Sequence, residues 1–262
     1  MALVGRTGEQ AAIVQAFAPI DEGEGAVLAL VGDAGIGKSA LLQEVAAQAA
    51  ERDLLLLGGR AAEHEADVPF GLVVAALDDH AGSMHARRLE SVGVDLAAVL
   101  PAAADPEDQG GARPDEPGAA ERFRYHRALR ALLELIGRER PFVLVLDDVH
   151  WADEGSLEFI LHLLRNPPRV PHLLVVATRP VEASARILDG VRTSPLPLAR
   201  TLTVGPLDDA AAAQLVGDLP AAVRQRVVAE AGGNPLFLRE LVPSFLGLAS
   251  SGSDRIVRAV QF

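Results

Sequence analysis

The chain has 262 residues, enough for one large α/β domain or one such domain with a small satellite. Its 49% apolar and 23% charged residues are ordinary for a globular protein, while a formal net charge of −12 excludes a broad nucleic-acid surface, which needs clustered Lys and Arg. The absence of cysteine removes disulfides, thiol catalysis and Cys-based zinc; no signal peptide opens the chain and no apolar run reaches the ~20 residues of a membrane span, so the expectation is a soluble, cytoplasmic protein.

Residues 26–31 (AVLALV) are a continuous apolar run between glycines, which predicts a buried strand. Helix formers over 39–50 predict a helix straight after the glycine-rich stretch that follows. A second strand is predicted at 53–57 (DLLLL), stopped by Gly58 and Gly59, and a helix at 71–80. Residues 101–120 are rich in Pro, Gly and acids and predict an exposed, flexible insertion. The helical pattern resumes over 122–136, with Phe123, Leu129, Leu133 and Ile136 near one stripe. A third strand at 142–146 (FVLVL) runs into Asp147 and Asp148, and a helix follows at 154–165. A fourth strand at 173–177 closes on Thr178-Arg179-Pro180, and a fifth is predicted at 201–204.

This alternation of strand and helix predicts an α/β fold with a parallel sheet covered on both faces. After Gly205-Pro206 the pattern becomes three short helices, at 209–217, 220–231 and 235–248. Gly232 and Gly233 end one helix, Asn234 caps the next and Pro235 takes its first position. The expected division is an α/β domain over 1–205, a small helical lid over 206–248 and a tail over 249–262.

Residues 32–39 (GDAGIGKS) fit G-x-x-x-x-G-K-[ST] in full, between a predicted strand and a predicted helix. The physical reason for the spacing is phosphate binding. Gly32, Asp33, Ala34, Gly35, Ile36 and Gly37 let backbone N–H groups point inward at a β-phosphate, and the helix start adds its dipole. Lys38 would bridge the β- and γ-phosphates, and the Ser39 hydroxyl would hold Mg²⁺. Lys38 is also the single lysine in a chain whose other basic residues are all arginine, a bias that suggests a GC-rich bacterial gene. A compact point charge among phosphates is not replaced by a guanidinium.

Asp147 is expected to hold the magnesium ion, directly or through water, and Asp148 to orient or activate the attacking water or to sense the γ-phosphate. Arg179, at the carboxyl end of the fourth strand, is the expected γ-phosphate contact, because ligands of open α/β sheets bind beyond those ends. Asp153 reads as a helix cap, Trp151 as a core residue and Arg87-Arg88 as a solvated face. The seven histidines show no metal spacing, and neither HExxH nor G-x-S-x-G is present. A guanine-specific N-K-x-D element is impossible when the only lysine is Lys38, so ATP is the expected nucleotide.

VGR at 4–6, GDAGIGKS, LVLDDVHWAD at 144–153, ATRP at 177–180 and GGNPLFLREL at 232–241 occur in this order. The series resembles the ATPase module of the STAND class, an AAA-like branch of P-loop NTPases, and in particular the large ATP-binding LuxR-type (MalT-like) transcriptional regulators of bacteria. The resemblance implies a three-layer sandwich with a five-stranded parallel sheet of the additional-strand type, the Arg179 strand lying between the phosphate-loop and acid strands. It places Gly5 and Arg6 near the adenine, with Thr7 where an acid is usual and Glu9 keeping the second acid. It also lets Gly233-Asn234-Pro235 bring the helical domain onto the nucleotide, Pro235 included.

By that likeness the chain is an ATP/ADP switch with slow hydrolysis and self-association on ATP binding. DNA contact is not expected from these residues, which include no helix-turn-helix. Two other expectations stand beside this one: an AAA-type remodelling ATPase working as an oligomeric ring, and an interaction module that nucleotide merely stabilises.

Overall fold

The computed structural model describes residues 3–66, 68–84, 89, 92, 94–103, 118–217 and 219–245. Its centre is a five-stranded sheet in the order β2-β3-β4-β1-β5. The strands are β1 (Gly25–Val31), β2 (Leu55–Arg60), β3 (Phe142–Asp147), β4 (His172–Thr178) and β5 (Leu198–Thr203), and every pairing is parallel. β1 and β4, neighbours at the middle, are buried along their whole length, as their unbroken apolar sequences require.

The two faces of the sheet fill from alternate residues. Ala26, Leu28 and Leu30 of β1 join Leu173, Val175 and Ala177 of β4 against α1 (Thr7–Asp21) and α2 (Lys38–Glu51). Val27, Ala29, Leu174 and Val176 face the other way. There they meet α3 (Gly71–Ser83), α4 (Ala119–Glu139), α5 (Glu154–Arg165) and α6 (Ala185–Arg192). Fully buried side chains such as Phe17, Leu28, Leu129 and Phe159 each contribute about 1.5–3 kcal/mol. The helix after β1 thus covers one face and those after β3 and β4 the other. The crevice between the carboxyl ends of β1 and β4 is therefore a topological switch point.

Beyond β5, three helices form a separate apolar cluster: α7 (Asp209–Val216), α8 (Ala221–Ala231) and α9 (Pro235–Phe245). Leu207, Ala211, Ala212, Val227, Ala231 and Leu238 are its buried members, and Val4 from the other end of the chain packs against it. No helix of the described residues is long and apolar enough to cross a membrane.

The structure corrects several sequence expectations. β2 does not stop at Gly58 but runs through both glycines to Arg60, pairing Gly58 with Val145 and Gly59 with Leu146. The glycines admit a neighbour rather than end the strand: a Cβ on Gly59 would lie 2.6 Å from the Leu72 carbonyl of α3. Phe123 leaves the buried stripe of α4 and is 54% exposed, edge-on to His162. Within the span 101–120 expected as an exposed insertion, Pro101–Ala103 form a 3₁₀ turn and α4 starts at Ala119. Residues 104–117, the Arg87-Arg88 doublet and the tail from 246 lie outside the described residues.

Helices α1 and α6 were not foreseen, since Ala-rich α1 has little amphipathic contrast and α6 is only 8 residues long.

Candidate functional site

β1 delivers the chain at Val31 to the crevice, and the loop over 32–37 turns it into α2. The turn needs left-handed backbone at Gly35 (φ +73°) and Gly37 (φ +108°), where any side chain would be strained. The loop is anchored at its start by the Gly32 N–H, which donates to the Thr178 carbonyl at the end of β4 (3.2 Å). Lys38, the first residue of α2, is only 6% exposed. Its ammonium donates to the carbonyls of Gly32 (2.7 Å) and Asp33 (3.0 Å), folded back along the loop. Burial pushes its pKa down and the Arg179 charge adds to this, while Asp148 and Asp147 pull the other way. Ser39 stands exposed in the first turn of α2, where the helix presents free N–H groups.

The acids enter from β3. Asp147 is its last residue, and Asp148 turns the chain with φ +51°. One Asp147 carboxylate oxygen accepts the Asp148 N–H at 2.8 Å. Burial, with the neighbouring Asp148 charge second, raises the Asp147 pKa against the opposing pull of Arg60 and Lys38. Arg60, the residue paired with Asp147 in the sheet register, donates to one Asp148 carboxylate oxygen at 2.6 and 3.0 Å and lies 3.8 Å from Asp147. Sequence reasoning missed Arg60 because it ended β2 before this position.

A cavity of about 920 Å³ opens above the carboxyl ends of β1 and β4. Its walls include residues 34–39 of the loop, with Asp148, Arg179 and Arg60 on one side. The N-terminal segment contributes Val4 and Arg6, and the lid contributes Leu207, Pro235 and Arg239. Ala34, Gly35, Ile36, Gly37, Lys38, Ser39, Asp148, Arg179, Arg6 and Pro235 are therefore brought together around one space. Arg239 was not singled out from the sequence, since nothing in its spacing marks it among so many arginines.

Asp147 lines an adjoining groove between α2 and β2 instead of this cavity. Gly5, with φ +66°, sits behind the wall against Ala211 of α7. Arg6 is buried and does more than line the cavity: it donates to the Ile36 carbonyl at 2.9 Å and pairs with Glu9 at 2.7 Å, bracing the loop from outside.

The lid touches the loop directly. The Asn234 side-chain amide donates to the Ala34 carbonyl (3.0 Å), and the Leu236 N–H reaches the Gly35 carbonyl at 3.3 Å while its cap bond to Asn234 Oδ1 is 3.0 Å. A Cβ on Gly35 would lie 2.5 Å from that of Leu236, so only glycine lets the two surfaces meet. Asp153 caps α5 through the Ser156 N–H (2.9 Å) and also accepts the Phe70 N–H (2.7 Å), and Trp151 packs half-buried against the core.

The donor set suits a nucleoside triphosphate with Mg²⁺. A cavity of this size holds a drug-sized ligand, and the cationic side chains that line it complement phosphate charge. Ser39 and the β3 carboxylates are hard oxygen donors, but no group of three His, Asp or Glu among the described residues could hold a metal by itself. Such oxygens are compatible with a magnesium ion that takes its remaining ligands from phosphate and water.

Comparison with known proteins agrees with this geometry. Against solved structures, the fold resembles Aeropyrum pernix ORC1, determined in complex with DNA (TM-score 0.55, 18% identity), over 93% of this chain and 60% of that one. It likewise resembles Aeropyrum pernix ORC2 in its ADPNP–ADP complexes (TM-score 0.54, 15% identity), over 90% of this chain and 60% of that one. At these identities the likeness is one of fold. An uncharacterized protein of Rhizobium meliloti (strain 1021) is 32% identical over 197 residues, 70% of this chain. The match is 19% of that protein, so the chain spans about a fifth of the length of this curated relative. Residues 2–176 match the family model described as AAA ATPase domain, and the chain belongs to that family of P-loop ATPases.

Proposed function

We propose that this chain is an ATP-driven signalling switch with slow hydrolysis, the ATPase module of a STAND-class, LuxR-type transcriptional regulator. The observation that carries the reading is the bonding of lid to phosphate loop, Asn234 to Ala34 and Leu236 to Gly35. A β-phosphate received by the loop N–H groups acts on the same peptide groups whose carbonyls hold the lid, so nucleotide binding and lid position are coupled. A γ-phosphate adds its contacts to Lys38 and Arg179 beside them. The motif series from VGR at 4–6 to GGNPLFLREL at 232–241 supports the same class.

Each residue has a part in this reading. The N–H groups of the loop and the start of α2 receive the β-phosphate, and Lys38 offers its charge to the β- and γ-oxygens. Ser39 would hold Mg²⁺, and Asp147, which lines the adjoining groove, would reach it through water; the ion when bound offsets phosphate charge. Asp148 orients the attacking water, and Arg179 reads the γ-phosphate from the end of β4. Val4, Arg6 and Pro235 form the wall met by the adenine side of the ligand.

The test uses the lack of native cysteine. Spin labels attached through Ala50→Cys in α2 and Ala229→Cys in α8, both exposed sites, report the lid distance. With ADP the distance stays short, and with a non-hydrolysable ATP analogue and Mg²⁺ it lengthens and self-association sets in. One distance in both states contradicts the switch. Closed rings with rapid turnover would instead identify a remodelling ATPase.

A further inference from the structure

Beside the acid end of β3, both ring nitrogens of His150 and Nε of Arg179 are buried without a hydrogen-bond partner among the described residues. They occupy one neighbourhood. The turn Val149–Trp151 packs on β4, whose last residue precedes Arg179, and on the turn Glu182–Ser184 just after it. The charge of Arg179 acts on the imidazole more strongly than that of Asp148, and Lys38 also faces it. The same guanidinium acts on Lys38 and lines the cavity.

Unpartnered buried donors and acceptors are rare, and such a group found near a site calls for a use. A neutral imidazole offers one lone pair and one N–H, and here the charges of a guanidinium and a carboxylate both act on it. Trp151 fixes the ring, with centroids 5.1 Å apart.

We propose that His150 is a positioning residue for Arg179: when a γ-phosphate draws the two Nη groups, the ring takes the Nε–H that neither side satisfies here and holds the fork on the phosphate, setting the preference for tri- over diphosphate. The proposal rests on the reading of the cavity as an ATP site. Arginine suits the task because its planar fork can spend Nε on the imidazole and both Nη on phosphate oxygens. Lysine, a single point charge, cannot serve both partners.

The experiment is titration of the full chain with ADP and with the imido analogue of ATP, each with Mg²⁺. Arg179→Ala lowers analogue affinity by about 30-fold and leaves ADP within about threefold, since its contact is to the γ-phosphate alone. His150→Phe, which keeps a ring against Trp151, lowers analogue affinity by about tenfold and spares ADP. The double variant binds no more weakly than Arg179→Ala, because the histidine acts only through the arginine. His150→Gln, which can still accept a hydrogen bond, recovers part of the loss. Arg179→Lys reproduces the loss without altering residue 150, and so tests the same pairing if His150→Phe does not fold.

Multiplying effects in the double variant would overturn the proposal, as would a parallel fall in ADP and analogue affinity, or an unchanged ratio in Arg179→Ala or Arg179→Lys. Lys38→Ala separates the levels. If it leaves both affinities intact, the ATP reading of the cavity fails and this proposal with it. If it abolishes both while His150→Phe keeps the wild-type ratio, only the role of His150 fails.

Discussion

The phosphate loop and the acid end of β3 face each other across the crevice, yet they are held by different kinds of bond. The loop is tied by short, buried contacts to peptide carbonyls, from Lys38 to Gly32 and Asp33 and from Arg6 to Ile36. Asp148 is instead tied by Arg60, a side chain 68% exposed to water. A buried bond to backbone can be lost only by reshaping the loop, whereas an exposed ion pair is worth about 0–1 kcal/mol and is released easily. On the proposed reading, the binding half of the site is therefore built in, and the half assigned to hydrolysis is adjustable.

Asp148→Asn gives the largest effect that separates the halves: hydrolysis falls by about 100-fold with ATP affinity unchanged, since only the charge that orients water is lost. Equal loss of turnover and affinity in steady-state and binding assays would merge the two halves into one structural unit. Asn234→Ala attacks the lid side of the loop. It removes the bond to Ala34 and the cap of α9 together, weakens lid docking by about 1–2 kcal/mol and speeds ADP release by up to about tenfold, as stopped-flow with a fluorescent ADP can read. Release at the wild-type rate would show that the lid does not hold nucleotide.

Arg60→Ala has a smaller reach. It frees Asp148, shifts stability by less than about 1 kcal/mol and raises turnover by up to about fivefold. A fall in ATP affinity would place Arg60 in the binding half after all.

The difference between the halves also explains what was legible in the sequence. The loop could be read because its bonds are local: Gly35, Gly37, Lys38 and Ser39 carry their conformational and chemical requirements within eight residues. The same holds for Asp153 as a cap and for the Gly232–Pro235 punctuation before α9. Arg60 could not be read, because it reaches Asp148 only through the β2–β3 register, 88 residues away in the chain. The bracing of the loop by Arg6 and Asn234 is of the same long-range kind. His150 was visible as part of the DDVHWAD series, but its unpartnered ring becomes apparent only when β4 is packed against its turn. β2 was cut short because glycines in a strand and glycines in a turn look alike until α3 is seen resting on Gly59.

A prediction remote from the site bears on the scaffold beneath both halves. His162 of α5 is held down to about 4 from its ordinary 6.5, by burial first and then by His126, Arg130, Arg127 and Arg165. The unfolded chain therefore takes up this proton at higher pH than the folded one. This contribution to stability is complete above about pH 6.5, falls as pH drops through that value and levels off near 4. Thermal unfolding should show a midpoint that declines from pH 7 to pH 5, with a shallower decline in His162→Phe. Identical slopes would mean that the imidazole is free to charge in the folded state.

The measurement that meets the central claim most directly is calorimetric titration of ATP with Mg²⁺ into the intact chain and into Lys38→Ala. The account predicts one site per chain and a loss of at least about 100-fold on removing the ammonium that faces the β- and γ-phosphates. Equal affinity in the two proteins, or no binding to the intact chain, would contradict it.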